Sequence, residues 1–191
     1  MRTKKISKRL SIFTWNQQIK KVHSVYFDSD TVTHIDDNIA INYYRQAAEL
    51  GNSYALCCIG KCYEEGKGVE KDYSKAIQCY QKSIDLGNAK SLFKLGLCYE
   101  EGKGVEKDYS KALEYYHKAA DLGSAEALYS ISMCYKEGKG VEKDGSKANE
   151  FYSKSAELGN SQAILNANSG KQEESKEKSD SESLLSSNEN D

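Results

Sequence analysis

Six cysteines, three histidines and the acid pairs that precede two Gly-Lys-Gly strings are the residues whose types could do chemistry in this 191-residue chain. Cys57, Cys58, Cys62 and Cys79 could be drawn as four thiolate ligands. No CxxC pair exists among them, however, and on a helix Cys57 and Cys58 point apart, so no closed tetrahedral site follows. Cys62, Cys98 and Cys134 recur at one fixed interval, which marks a small apolar side chain repeated in a core. His23, His34 and His117 are scattered, and none supplies a base to a serine or cysteine. The pairs Glu64-Glu65 and Glu100-Glu101 occupy consecutive positions, which on a helix do not face each other and make no acid/base couple. Gly66-Lys67-Gly68 tempts toward a phosphate loop, but it lacks the GxxxxGK[ST] frame and a preceding strand, and it is read as turn glycines. No catalytic residue, metal or cofactor is expected.

What positions these residues is a repeat. Residues 53–88, 89–124 and 125–160 align without a gap at a period of 36, and the first two agree at 22 of 36 positions. EEGKGVEKDYSKA at 64–76 returns at 100–112, and as KEGKGVEKDGSKA at 136–148. One period earlier, Asp36, Ala40, Tyr44, Leu50 and Gly51 match the second half of a unit, while 17–35 is degenerate. Each unit carries two helical faces. Leu56, Ile59, Gly60 and Tyr63 stand at i, i+3, i+4 and i+7, as do Leu92, Leu95, Gly96 and Tyr99; this is helix A. Ala76, Tyr80 and Ile84, then Ala112, Tyr116 and Ala120, mark helix B. Asp72 and Asp108 are placed to cap helix B, Gly87 and Gly123 to end it in a left-handed turn, and Asn52 and Asn88 to cap helix A. A lone hairpin of this size leaves one face of each helix wet, so each unit must bury itself on its neighbour. The predicted fold is all-α, a right-handed α-solenoid of antiparallel helix pairs. Ser132 for Gly96, Gly145 for Tyr109 and Asn149 for Leu113 suit a terminal unit facing water.

The flanks differ in composition. The first 21 residues hold seven bases and no acid, and the last 21 hold three lysines against seven acids, within a net charge of -2. A global charge so near neutrality gives no nucleic-acid footprint. We divide the chain into a basic leader at 1–16, a degenerate first repeat at 17–52, three repeats at 53–160, a short cap at 161–168 and a disordered, acidic, Ser-rich tail at 169–191. The leader admits a nuclear signal, a mitochondrial presequence or a lipid-surface helix beside a plain solvated segment. Ser179 and Ser186, each three residues before Glu, resemble acidophilic kinase sites. No apolar stretch reaches the length of a membrane span. A cytoplasmic location is expected, with nuclear or mitochondrial targeting left open.

The pattern L-x-x-[IL]-G-x-C-Y-E-E-G-x-G-V-x-x-D-Y-x-K-A, then Y-x-K and D-L-G, resembles the Sel-one-like repeat family, a 36-residue relative of the tetratricopeptide repeat. One departure is uniform: Glu70, Glu106 and Glu142 stand where the family commonly has Pro, which leaves the loop less stiff. The resemblance implies a non-catalytic scaffold or adaptor. In the family's disulfide-stapled branch, linked to β-lactam binding, a cysteine late in helix B pairs with one early in the next helix A. Here those positions are Ile84 with Leu92 and Ala120 with Leu128, so reduced thiols are expected and a hydrolase is the remote alternative. By the same resemblance the concave face is lined by Tyr54, Cys57 and Lys61, by Lys90, Phe93 and Leu97, and by Glu126, Tyr129 and Met133. These columns change type between units while the core columns barely change. A peptide or helix with an apolar anchor and some acid is the expected partner, with self-association as another use of the same surface. Phe93 and Tyr129 are the expected anchors and, lying outside the repeated core columns, are expected to be dispensable for stability. The alternative is a regulatory or targeting module of a signalling complex that acts through its charged, phosphorylatable termini.

Overall fold

The computed structural model describes residues 37–165, and within them every regular element is a helix. In chain order these are α1 (Asp37–Glu49), α2 (Ser53–Glu65), α3 (Tyr73–Asp85), α4 (Ala89–Glu101), α5 (Tyr109–Asp121), α6 (Ala125–Glu137) and α7 (Gly145–Glu157), followed by one helical turn at 161–165. The basic leader, the first half of the degenerate repeat and the acidic tail lie outside the described residues. Two compact units meet at Lys118 and Ala119, within α5. In the first, α2 packs on α1 and α3, and α3 packs on α4; in the second, α6 packs on α7.

The helix limits follow from local chemistry. Asn52 accepts the Ala55 N–H at 2.9 Å and Asn88 the Ser91 N–H at 3.2 Å, while Ser124 does the same for Ala127 at 3.2 Å. Asp72, Asp108 and Asp144 cap α3, α5 and α7 by accepting from Lys75, Lys111 and Lys147 at 2.9–3.0 Å. Each bond satisfies a donor that the first helical turn leaves open. At the far end of helix A, Gly66 and Gly102 are left-handed (φ 76° and 72°) and return their N–H to Cys62 and Cys98. The second glycine of the GKG string has another task. A Cβ on Gly104 would stand 2.7 Å from Cβ of Tyr73, at the start of α3, so the loop lies directly on the preceding helix B. They are turn glycines, as the sequence predicts, and Gly104 is a contact glycine as well.

The core of each hairpin is a glycine facing a tyrosine. A Cβ on Gly60 would stand 2.5 Å from Cε1 of Tyr80, and one on Gly96 equally close to Cε1 of Tyr116. Removing the side chain from helix A lets the ring of helix B lie flat against it, and Tyr80 and Tyr116 are 0% exposed. Their hydroxyls donate to Glu64, at 2.7 Å, and to Glu100. In the third repeat Ser132 replaces the glycine and Lys136 the glutamate, and Tyr152 is only half-buried. In the third repeat the glycine, the glutamate and the full burial of the tyrosine are thus all absent together.

The cysteines divide between two cores. Cys58 and Cys62 pack with Ile41, Tyr44 and Ile59, whereas Cys57 and Cys98 pack with Ala76, Tyr80 and Leu95. Burial pushes the Cys62 thiol up to about 12 and that of Cys98 to about 11, from an ordinary 9.0. Above pH 9 the unfolded chain therefore releases protons that the native chain retains, and stability falls with rising pH at about 1.4 kcal/mol per pH unit for each such thiol. Stability is full below pH 9 and is lost through the window up to about 11 and 12. The urea midpoint is expected to be level between about pH 7 and 8.5 and to drop steeply by about pH 10.5. A midpoint unchanged at the higher pH would show that these thiols ionise in place.

Candidate functional site

The first helix of each repeat carries the candidate positions, three in each repeat. In the first unit Tyr54 is half-buried against the cluster of Ala55, Cys58 and Ile59. Lys61, Phe93 and Leu97 are half-buried and Lys90 is exposed. In the second unit Glu126 is exposed, while Tyr129 and Met133 are half-buried. Glu126 sits in the first turn of α6 and accepts a bond from the Ser124 hydroxyl at 3.1 Å, a placement the helix N-terminus favours for a carboxylate.

Two expectations need correction. Cys57, assigned to the concave wall, is 5% exposed and belongs to the core between α2, α3 and α4. A thiol occupies this column in the first strong repeat where Phe93 and Tyr129 stand in the next two, and the shorter side chain sinks below the surface. Burial raises the Cys57 pKa and outweighs a hydrogen bond shared with Ser91 and the ammonium groups of Lys90, Lys94 and Lys61, which act in the opposite direction. The second correction concerns the aromatic anchors. Phe93 packs at a tilt against Tyr116 with centroids 5.7 Å apart, and Tyr129 against Tyr152 at 6.0 Å. Each covers the ring of its own hairpin, so truncating it exposes core and lowers stability. Leu97 and Met133 are half-buried and belong to neither ring pair.

The structure adds a residue the sequence reading left out. Lys94 is one turn beyond Lys90 on α4, and both act on Lys61 of α2. Burial is the first cause of a lowered Lys61 pKa, and Lys94, Lys67 and Lys90 push it further down, against Glu65. Lys61 pairs with Glu65 and Lys94 with Glu64, each at 3.7 Å. Glu64 is already engaged by the Tyr80 hydroxyl and lies 3.8 Å from Lys103. Lys90 pairs with no carboxylate among the described residues. The i, i+4 spacing of Lys90 and Lys94 was the available signal.

Among the described residues no group of His, Cys, Asp and Glu is placed to hold a metal, and no helix is long and apolar enough to cross a membrane. In the first unit, half-buried Phe93 and Leu97 share α4 with Lys90 and Lys94. The Sel1 repeat profile matches residues 24–52, 53–88, 89–124 and 125–160. The chain belongs to the Sel1 repeat family. Among solved structures, a Sel1 repeat protein from Oxalobacter formigenes is 30% identical with a TM-score of 0.70 over 78% of this chain and 59% of that one. A protective antigen of uropathogenic Escherichia coli with the same repeat fold is also 30% identical, with a TM-score of 0.67 over 82% of this chain and 34% of that one. Cysteine-rich protein B of Helicobacter pylori is 30% identical with a TM-score of 0.54, covering 71% of this chain and 96% of that protein. The chain thus spans 59% of the first of these relatives and 34% of the second. No curated protein matches it. The fold is the α-solenoid of Sel1 repeat proteins, a family of mostly non-catalytic helical repeats that generally serve as protein-interaction scaffolds.

Proposed function

We propose that this Sel1 repeat chain is a non-catalytic adaptor that holds a peptide or helix of a partner protein on the helix-A face, through an apolar anchor and acidic residues. One contrast carries the reading. The glycine, alanine and tyrosine columns that close each hairpin repeat almost unchanged, whereas the outward columns hold Tyr54 and Lys61, Lys90 with Phe93 and Leu97, and Glu126 with Tyr129 and Met133. Copying the core while varying the face is what a scaffold needs when its units must stack identically and yet recognise one sequence. Half-buried apolar side chains suit this use, because a ligand that completes their burial gains hydrophobic area at small entropic cost.

The test uses Leu97 and Met133, since Phe93 and Tyr129 also support the core. Leu97→Asp with Met133→Asp is expected to weaken affinity capture of the partner at least tenfold, about 1.4 kcal/mol, while leaving helicity intact and melting within a few degrees of the parent. Charge reversal at Lys147, exposed on α7, serves as the control and should change neither. Normal capture by the double variant would remove this face from the binding surface.

A further inference from the structure

Within the first compact unit, α1 and α3 wall a groove of about 590 Å³ that is floored by α2. Leu56 and Ile59 of α2, with Ala48 and Leu86 of the walls, make its apolar part. Its charges are sorted. α1 contributes Arg45 and, four residues on, Glu49; α3 contributes Lys82 and, three residues on, Asp85. Both walls run antiparallel to α2 and hence parallel to each other, so the bases share one level and the acids another, about 4.5–6 Å further along. Differences between repeats converge on this groove. Arg45 stands in the column of Gln81, His117 and Ser153. In the column of Lys82, Lys118 is held by Glu114 at 2.5 Å and Lys154 by Glu150 at 2.6 Å, but α3 has Gln78 where those glutamates stand. Neither Arg45 nor Lys82 forms an ion pair among the described residues. Ala48 leaves room where, one repeat on, Ile84 packs against the core of Ala76, Tyr80 and Leu95. Half-buried Cys79 occupies the column of Tyr115 and Phe151, and Lys82 and Arg45 both lower its pKa against the larger, raising effect of burial, a sign that the two bases converge.

The geometry points to a second binding site, apart from the positions of the proposed adaptor face, for the C-terminal lysine of a partner protein. Its α-carboxylate lies between Arg45 and Lys82, its methylenes over Leu56 and Leu86, and its ammonium group at the acidic end. The order of charges selects this occupant. An extended lysine holds carboxylate and ammonium about 6–7 Å apart, with an apolar run of methylenes between them. The guanidinium of Arg45 offers a planar fork that suits a carboxylate. Asp85 already accepts from the Gln81 side chain at 3.2 Å, so Glu49, which has no ion pair among the described residues, is the main acceptor for the ammonium. A partner helix with an acid and a base one turn apart would pair them with each other and leave Leu56 uncovered. A fatty acid would leave the acidic end unanswered. A free amino acid fills only part of the volume, whereas a chain end brings the residues before it.

The test titrates the isotope-labelled full chain with the peptide acetyl-Ala-Leu-Lys and follows backbone amide shifts by NMR. With a free carboxylate the peptide is expected to give saturable shifts concentrated at 45–49, 56–59 and 82–86. Amidating its end, or replacing its lysine by norleucine, should each weaken binding at least fivefold. Ala48→Ile, which installs the side chain of the next repeat, is expected to abolish the shifts. Arg45→Gln changes an exposed side chain to the type found at 81 and should weaken binding at least fivefold with helicity intact. Gln78→Glu, which offers Lys82 the partner that Lys118 and Lys154 have, should do the same. Leu97→Asp with Met133→Asp should bind the peptide as the parent does, so failure of the adaptor face and failure of this groove read out separately. Equal binding by the amide, an affinity indifferent to Arg45→Gln, or shifts spread over the repeated Gly-Lys-Gly loops would each overturn the proposal. So would binding of 6-aminohexanoate with none of the peptide, which would make the groove a site for a small zwitterion.

Discussion

Replacing Tyr80 with alanine is expected to destabilise the protein by about 3–5 kcal/mol, the range for deleting a large buried aromatic side chain. The ring is 0% exposed and fills the concavity made by Gly60. Its loss leaves a cavity beside a backbone that has no side chain with which to collapse. The hydroxyl adds a second effect, since Glu64 loses the 2.7 Å bond from Tyr80 while Lys94 and Lys103 remain near. Tyr80→Phe isolates that part and should cost about 1.5–3 kcal/mol, the range for a hydrogen bond to a charged group. Tyr152→Ala is the internal comparison. It removes the same residue type at the same register, but from a half-buried position in a repeat that has Ser132 for the glycine, so its loss should be clearly smaller than that of Tyr80→Ala. Urea unfolding followed by far-ultraviolet circular dichroism reads all three. Equal losses at Tyr80 and Tyr152 would mean that the glycine-tyrosine pairing does not organise the hairpin.

That pairing also marks how far the sequence could be read. The period of 36 exposes helices, caps and core because each column is sampled three times, and a residue kept in every copy, such as Ala76 with Ala112 and Ala148, declares its burial by recurrence. The caps were equally legible: Asp72, Asp108 and Asn88 bond as their positions predict, because a cap depends only on residues three apart. Columns that vary carry no such signal. Cys57, Phe93 and Tyr129 share a register, yet the first is buried and the other two lie over a tyrosine ring. Side-chain length decides between those outcomes, and a position number does not encode it. Lys94 was missed for a related reason. Its membership of the lysine cluster depends on Lys61 of another helix, a relation between repeats that the pattern within one repeat cannot express.

Gly96 offers the sharpest link from this packing to binding. Glycine inside a helix is ordinarily less stable than alanine by roughly 0.5–1 kcal/mol, so Gly96→Ala would be stabilising if space allowed. The new Cβ would stand 2.5 Å from Cε1 and 2.7 Å from Cδ1 of Tyr116, and 3.3 Å from the carbonyl of Ala112. Overpacking of this kind costs typically 1–3 kcal/mol, which exceeds the propensity gain, so alanine is expected to destabilise and valine, with two further methyl groups, more severely. The third repeat holds a larger residue in this column, Ser132, together with a tyrosine, Tyr152, that is only half-buried. Gly96→Ser is therefore expected to be milder than Gly96→Val, with Tyr116 moved toward the half-buried state of Tyr152 and its fluorescence more readily quenched by iodide. Because Leu97 follows directly and Phe93 rests on Tyr116, the shift should also displace the apolar side chains of the binding face. Partner capture should then fall in Gly96→Ser even at temperatures where helicity is unchanged. Gly123→Ala is the control: it lies at φ 84° with no atom within 4 Å of a new Cβ, so its cost is backbone strain alone. If Gly96→Val melts no lower than Gly123→Ala, the close approach of α4 to Tyr116 is not what holds the hairpin together.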